Sequence, residues 1–229
     1  KQIFNKNSLN VKKIINKSFI EGVHLIEENT NIDTFYFIKI KKTSTNISFF
    51  DNSAFRYFEK FNFGTNLLLQ DISKVSSINY ETINNILIDG ILNKKDYEKN
   101  EFIEKEFFKN DNFRKIKKNL LKEIVKARIE EISNIILFKN TNIKSSQFVA
   151  EKIFVVIEDD LIYKNFNNDF NFYFSKDFIK SITVSNDFET DSIFYKAAHL
   201  SAFGWRKEAV PILQTKSSLI TRIFKTIFE

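Results

Sequence analysis

The sequence predicts an α/β fold in which a mixed sheet, opened by a strand meander, carries helices. Three observations predict it. The runs "DTFYFIKIKK" (33–42), "NISFFDN" (46–52) and "AFRYFEKFNF" (54–63) are aromatic, β-branched, partly alternating and separated by short polar turns. A later run, "EKIFVVIEDD" (151–160), is apolar enough for a buried strand and ends in an acidic turn. Between them lie stretches with helical spacing, the order expected of strands joined through helices.

Each element has its own reason. "SLNVKKIINKSFIEGVHLIEEN" (8–29) reads as a short strand, Val11–Ile15, followed by a helix. Gly64 breaks the strand pattern, and "TNLLLQDISKVSS" (65–77) takes helical spacing with Thr65 as N-cap. "NYETINNILID" (79–89) is a second helix and "NKKDYEKNEF" (93–102) a polar connection. The longest periodic stretch, 112–140, predicts a helix over 112–137 with Ile116, Leu120, Ile124, Ala127, Ile132 and Ile135 near one face. Lys and Glu cover the other face, several paired at four-residue spacing. "DFNFYFS" (169–175) and "KSITVSN" (180–186) read as strands, and "SIFYKAAHLSAFGWR" (192–206) as a helix ended or kinked at Gly204. This divides the chain into a sheet-bearing part (1–64), an outer helical subdomain (65–140), a return to the sheet with a closing helix (141–206), a linker (207–216) and a terminal helix (217–229).

Bulk properties set limits. With 229 residues, 43% of them hydrophobic, the chain can bury one sizeable core or two small lobes. A net charge of +6 and a pI near 9.2 admit acidic partners. The abundance of Lys, Asn, Ile and Phe beside only four glycines is also what an AT-rich genome produces. Lys and Glu are interspersed as on solvated faces, so nucleic acid is not the expected partner. No cysteine is present, which excludes a disulfide, a thiolate metal site and a thiol nucleophile. No apolar run reaches the roughly 18 residues of a membrane span, and the first residues show no signal-peptide pattern.

The end of the chain is different. In "SSLITRIFKTIFE" (217–229), Leu219, Ile220, Ile223, Phe224, Ile227 and Phe228 share one helical face, with Ser217 or Ser218 as N-cap. Arg222 and Lys225 fall on the other face and Lys216 lies just upstream. Such a stripe suits a last core helix, or a helix lying in a membrane interface with its cations among anionic head groups.

Taken together, these segments resemble the second half of an actin-fold protein, and among these the FtsA family of bacterial actin relatives. "VKKIINKSFIEGVHLI" is similar to the segment that crosses between the two FtsA lobes. "FNFGTNLLLQDISK" (61–74) resembles the family's glycine and following helix with its Asp-Ile pair. "ARIEEI" (127–132) resembles a long-helix motif shared with heat-shock ATPases, and "KEAVPILQTKSSLITRIFKTIF" the exit into a linker and membrane helix. The resemblance covers nearly the whole chain and little more than half of an FtsA. It implies an actin/ribonuclease-H-like lobe with a mixed sheet, an outer helical subdomain and a C-terminal amphipathic helix.

The resemblance also says where phosphates should sit. The family pattern Asp-x-Gly-Gly-Gly-Thr-Thr belongs between the first two meander strands, where this chain has "IKIKKTSTN" (38–46). A second glycine triplet belongs where "VVIEDDLIY" (155–163) places Glu158, Asp159 and Asp160. Glycine is needed there because backbone N–H groups must close on an anion with no Cβ in the way. Three carboxylates would repel phosphates. ATP with Mg²⁺ is therefore expected to bind weakly or not at all, and no catalytic or metal-binding residue is assigned. The acidic triplet reads as a solvent-exposed turn. His24 and His199 read as packing residues in helices, most of the 27 phenylalanines as core, and Trp205 as a packing residue at the lobe base.

Two functional classes follow. One is a non-catalytic adaptor, as the likeness to FtsA implies, tethering the FtsZ ring to the inner face of the cytoplasmic membrane at the division site. The FtsZ C-terminal tail would dock on 65–140, where Lys94, Lys95, Lys115, Lys117 and Lys118 offer positive charge. Residues 216–228 would meet the anionic membrane surface, and self-association is a further implied contact. The other class is an actin-fold ATPase or kinase-like enzyme with atypical phosphate loops. An actin-like scaffold of another envelope machine, such as pilus assembly, is a variant of the first.

Overall fold

The computed structural model describes Lys6 and residues 14–92, 101–109, 111–146, 149–175, 181–186 and 190–205. Helix α1 (Lys17–Glu28) opens the described fold, its first turn capped by the Asn16 side chain, which accepts from the Ser18 N–H. Strands β1 (Phe35–Ile40), β2 (Thr45–Asp51) and β3 (Ala54–Phe61) form the expected antiparallel meander. Asn52 and Ser53, both at positive φ, make the two-residue turn between β2 and β3. Helices α2 (Asn66–Ser76) and α3 (Tyr80–Asp89) follow. After them come α4 (Lys118–Ser133), which runs on into a π-helical turn (Asn134–Phe138), and the short α5 (Thr141–Ser146). Strand β4 (Lys152–Ile157), α6 (Asp160–Phe174), β5 (Ser181–Ser185) and α7 (Thr190–Phe203) complete it.

The sheet is mixed, in the order β3-β2-β1-β4-β5, with β1, β4 and β5 parallel. Because β1 is central and covered on both faces, all six of its residues are buried. Tyr36, Ile38 and Ile40 join Ile153, Val155 and Ile157 on one face, under α2, α3, α4 and α6. Phe35 and Phe37 join Phe154 and Val156 on the other, under Leu25 and Ile26 of α1. Outside α1 lies α7, joined to it through Ile20, Val23, Ile193 and Leu200. The helices of 66–138 share one core cluster with the sheet.

Several expectations need correction. "DFNFYFS" is no strand: it is the end of α6. Asp159 caps that helix, and Ile162, Phe166, Phe170 and Phe174 recur every four residues as its buried stripe. The long helix begins at Lys118, because the chain before it pairs with 101–103, Ile103 N–H donating to Ile116 O (2.8 Å) and Lys118 N–H to Glu101 O (2.9 Å). Its buried face is Leu121, Val125, Ile129, Ile132 and Ile136, whereas Leu120 and Ile135 are 44% and 41% exposed. Ala127 is exposed too and Ile124 half-buried; only Ile116 and Ile132 of the expected face are buried. The expected strand Val11–Ile15 lies mostly outside the described residues, and Ile14 and Ile15 are not in a strand.

Candidate functional site

The parallel strands β1 and β4 end side by side, Ile40 opposite Ile157, and the two turns singled out by sequence follow directly. This is the edge at which open α/β sheets bind ligands. The β1–β2 turn closes on itself, the Lys41 N–H donating to Ser44 O (2.8 Å). The N-terminus of α2 then donates into that turn, Thr65 N–H to Lys41 O (2.9 Å) and Asn66 N–H to Lys42 O (3.0 Å). Gly64 permits this approach: a Cβ there would lie 1.9 Å from the Lys41 carbonyl oxygen. Glu158 N–H donates to Ile40 O (2.9 Å), which joins the β4 end to the same place.

The side chains are equally committed. Thr65 does not cap α2 with its hydroxyl, as the sequence suggested; its Oγ1 donates to Asp159 Oδ2 (2.9 Å). Asp159 is buried, and its other oxygen accepts from the Ile162 N–H at the start of α6. Asp160 accepts from the Asn186 side chain (3.2 Å). Glu158 pairs with Lys39 (2.7 Å) and Lys41 (3.3 Å). Of the acidic triplet, Glu158 and Asp160 are exposed, as expected of a turn, and only Asp159 is buried; all three nonetheless make contacts within the chain. Among the described residues no group of three or more His, Cys, Asp or Glu could hold a metal ion.

At the centre of this edge is a residue that sequence reasoning passed over. Lys39 points to the α1 face of the sheet, 4% exposed, and its ammonium lies 2.6 Å from Glu21 Oε1 as well as 2.7 Å from Glu158 Oε1. Glu21 is itself buried, and Lys17 adds a weaker contact at 3.8 Å. Burial by itself would lower the Lys39 pKa, but the hydrogen bonds it donates to Glu158 and Glu21 outweigh it and hold the ammonium above its ordinary range. Glu158 mirrors this: burial pushes its carboxyl up, and Lys39 and Lys41 together bring it below the usual carboxylate range. Lys39 lies within 38–46, the stretch in which the expected pattern has no evident leading acid.

Two sequence motifs meet in space. Arg128 of "ARIEEI" forks onto Asp71 of the Asp-Ile pair, Nε bonding one oxygen and Nη2 the other (3.0 Å), and it also pairs with Glu131. The contact ties α4 to α2. Of the expected partner-binding lysines, Lys94 and Lys95 lie outside the described residues. Lys118 is buried between Glu101 (3.2 Å) and Glu104 (3.3 Å). Lys115 covers the Phe102 ring at 4.5 Å, and Lys117 is exposed. His24 Nε2 lies 3.2 Å from Ser192 Oγ and 3.1 Å from Glu28 Oε1. His199, expected in the packing, is exposed against Phe203. Trp205 packs beside Phe19 and donates from Nε1 to Ser53 O (3.1 Å). The expected membrane-binding residues, Lys216 to Phe228, lie outside the described residues.

No family model matches the sequence, and no curated protein matches it. Among solved structures the chain is similar to MreB5 of Spiroplasma citri bound to ADP, with a TM-score of 0.55 and 12% identity over 88% of this chain and 63% of that one. The same protein bound to AMPPNP gives 0.54 and 12% over 88% and 62%. The apo pSK41 ParM protein gives 0.50 and 16% over 85% and 52%. The chain therefore spans between 52% and 63% of the length of these structures. At such identities the likeness is one of fold: the chain has the actin-like ATPase fold.

Proposed function

We propose that the chain is the second lobe of an actin-like scaffold that works as a membrane-tethering adaptor, as FtsA-like proteins do, and not as an ATPase. The observation that carries this is the closed strand edge. A nucleotide phosphate needs N–H groups free to turn toward it. Here the N–H groups of Lys41, Thr65, Asn66 and Glu158 already donate to carbonyls of this chain. Glu158 and Asp159 stand beside them, and the Lys39 ammonium is taken up by Glu158 and Glu21. These residues do not fit a Mg-nucleotide. The MreB5 structures carry ADP or AMPPNP on the same fold; this chain keeps the fold and has filled the edge. An actin-fold ATPase would need at least one open, glycine-lined turn there.

The adaptor role adds two partners. An anionic membrane on the inner face of the cell would take residues 216–228, and the C-terminal tail of FtsZ would dock on the helical part at 65–140. Six large apolar side chains would each gain about 1.5–3 kcal/mol if fully buried, of which shallow insertion realises a part. Lys216, Arg222 and Lys225 would add about 1 kcal/mol each near an anionic leaflet. Ordering the segment opposes this by about 1–2 kcal/mol per residue, so one chain binds modestly and a ring of chains firmly. Sedimentation with anionic liposomes tests the reading. Ile223→Glu or Phe224→Glu, at the centre of the apolar face, is expected to abolish binding, and Thr221→Glu, on the polar side, to weaken it less. Equal loss from both kinds of variant would point to charge attraction alone and contradict an inserted helix.

A further inference from the structure

We propose that the outer face of α7 is the seat of the chain's own terminal segment, 217–229, which docks there when no membrane is present. The inference rests on the adaptor reading, in that the same apolar stripe serves both contacts.

Helix α7 is apolar on both sides. Ile193 and Leu200 are buried against α1, yet Phe194, Tyr195 and Phe203 are 68%, 81% and 77% exposed. Phe194, Tyr195, Ala198 and Ala202 fall in one arc of the helix, and all are exposed. From Ser192 to Trp205 the one Lys, Arg, Asp or Glu is Lys196, and it is ion-paired with Glu27 of α1. A helix apolar all round is normally covered all round, and a contiguous apolar patch marks a contact where scattered residues do not.

The route of the chain identifies the occupant. Gly204, at φ 74°, ends α7, and Trp205 is fixed by its bond to Ser53 O. Residues 206–216 can reach at most roughly 36–40 Å, while the 14 residues of α7 extend about 21 Å. The terminal segment can therefore return along the helix it has just left. Its apolar stripe would meet Phe194, Tyr195, Ala198 and Ala202, and Arg222 and Lys225 would face solvent. A tethered segment meets its seat at about millimolar effective concentration, so a weak contact is enough. A membrane competes for the same stripe, so docking and membrane binding exclude each other, and docking raises the lipid threshold for attachment.

Hydrogen exchange on the full chain without lipid, together with sedimentation on phosphatidylglycerol–phosphatidylcholine vesicles, tests this. Tyr195→Asp and Phe194→Asp change exposed side chains and leave the core intact. Wild-type amides in 219–228 are expected to exchange roughly tenfold more slowly than in either variant, and vesicle binding by the variants to rise about three- to tenfold. Equal exchange in wild type and variants would overturn the proposal. Protection that grows with protein concentration would assign the face to a second copy, and weaker vesicle binding by Tyr195→Asp would assign it to lipid; either result also overturns it. Protection lost in the variants, with no vesicle binding by any form, would uphold the docking and sink the adaptor reading.

Discussion

Lys39 holds the strand edge together from inside. Its ammonium bonds both Glu21 and Glu158, and removing it leaves the buried Glu21 with only the 3.8 Å contact to Lys17, while Glu158 keeps Lys41. Lys39→Met is expected to lower stability by about 3–5 kcal/mol, the cost of breaking a buried pair from one side, seen as a lower urea midpoint at unchanged slope. Adding Glu21→Gln should recover part of the loss; strictly additive losses would mean the two do not interact. The pH dependence has a definite sign. Glu158 is held below its ordinary 4.5, so its contribution is present above that value and is lost as pH falls through the lowered folded pKa. Lys39 is held above 10.5, so its contribution persists up to that value and is lost only as pH rises through the raised folded pKa. Urea midpoints are therefore expected to be level between these limits as far as this cluster is concerned, with an acid loss that weakens in Lys39→Met. None of this was legible in "FYFIKIKK", because a lysine in an alternating strand reads as a solvent-facing position. Its partner Glu21 is 18 positions back, on another element.

At the scale of elements, the turns and helix starts around the site depend on a few contacts. Asp159→Ala removes the α6 cap and leaves the Thr65 hydroxyl without its acceptor, so a loss of about 1–2 kcal/mol is expected in chemical denaturation. Asp159→Asn, which keeps an acceptor, should lose less. Gly64→Ala places a methyl against the Lys41 carbonyl, and because that carbonyl receives the Thr65 N–H it cannot swing aside freely. A loss of about 1–3 kcal/mol or more is expected. The meander, α2 and α3 were legible in sequence because their apolar spacing and turn residues agree. Helix α6 was misread because Phe170, Phe172 and Phe174 alternate like a strand while Phe166, Phe170 and Phe174 repeat like a helix, and Asp159 decides between them only once it is known to be a cap. The face of α4 was misread because its apolar residues are numerous enough to offer two stripes. Packing against α2 and α6 selects the one through Val125 and Ile129.

For the whole molecule, the α/β class followed from the order of periods, but the neighbour relations did not. The parallel pairing of β1 with β4 joins Phe35 to Lys152 across the entire helical part of the chain, and nothing local specifies it. That pairing builds the site, because it sets the β1–β2 turn beside the acidic turn after β4. The absence of glycine from 38–46 was visible in the sequence; that the N–H groups of Lys41, Thr65, Asn66 and Glu158 donate to carbonyls of this chain was not. Calorimetric titration of Mg-ATP into this chain, and into the longest natural chain that contains it, tests the central claim most directly. The closed edge predicts no saturable binding at micromolar nucleotide in either. A dissociation constant in the low micromolar range or tighter would contradict it.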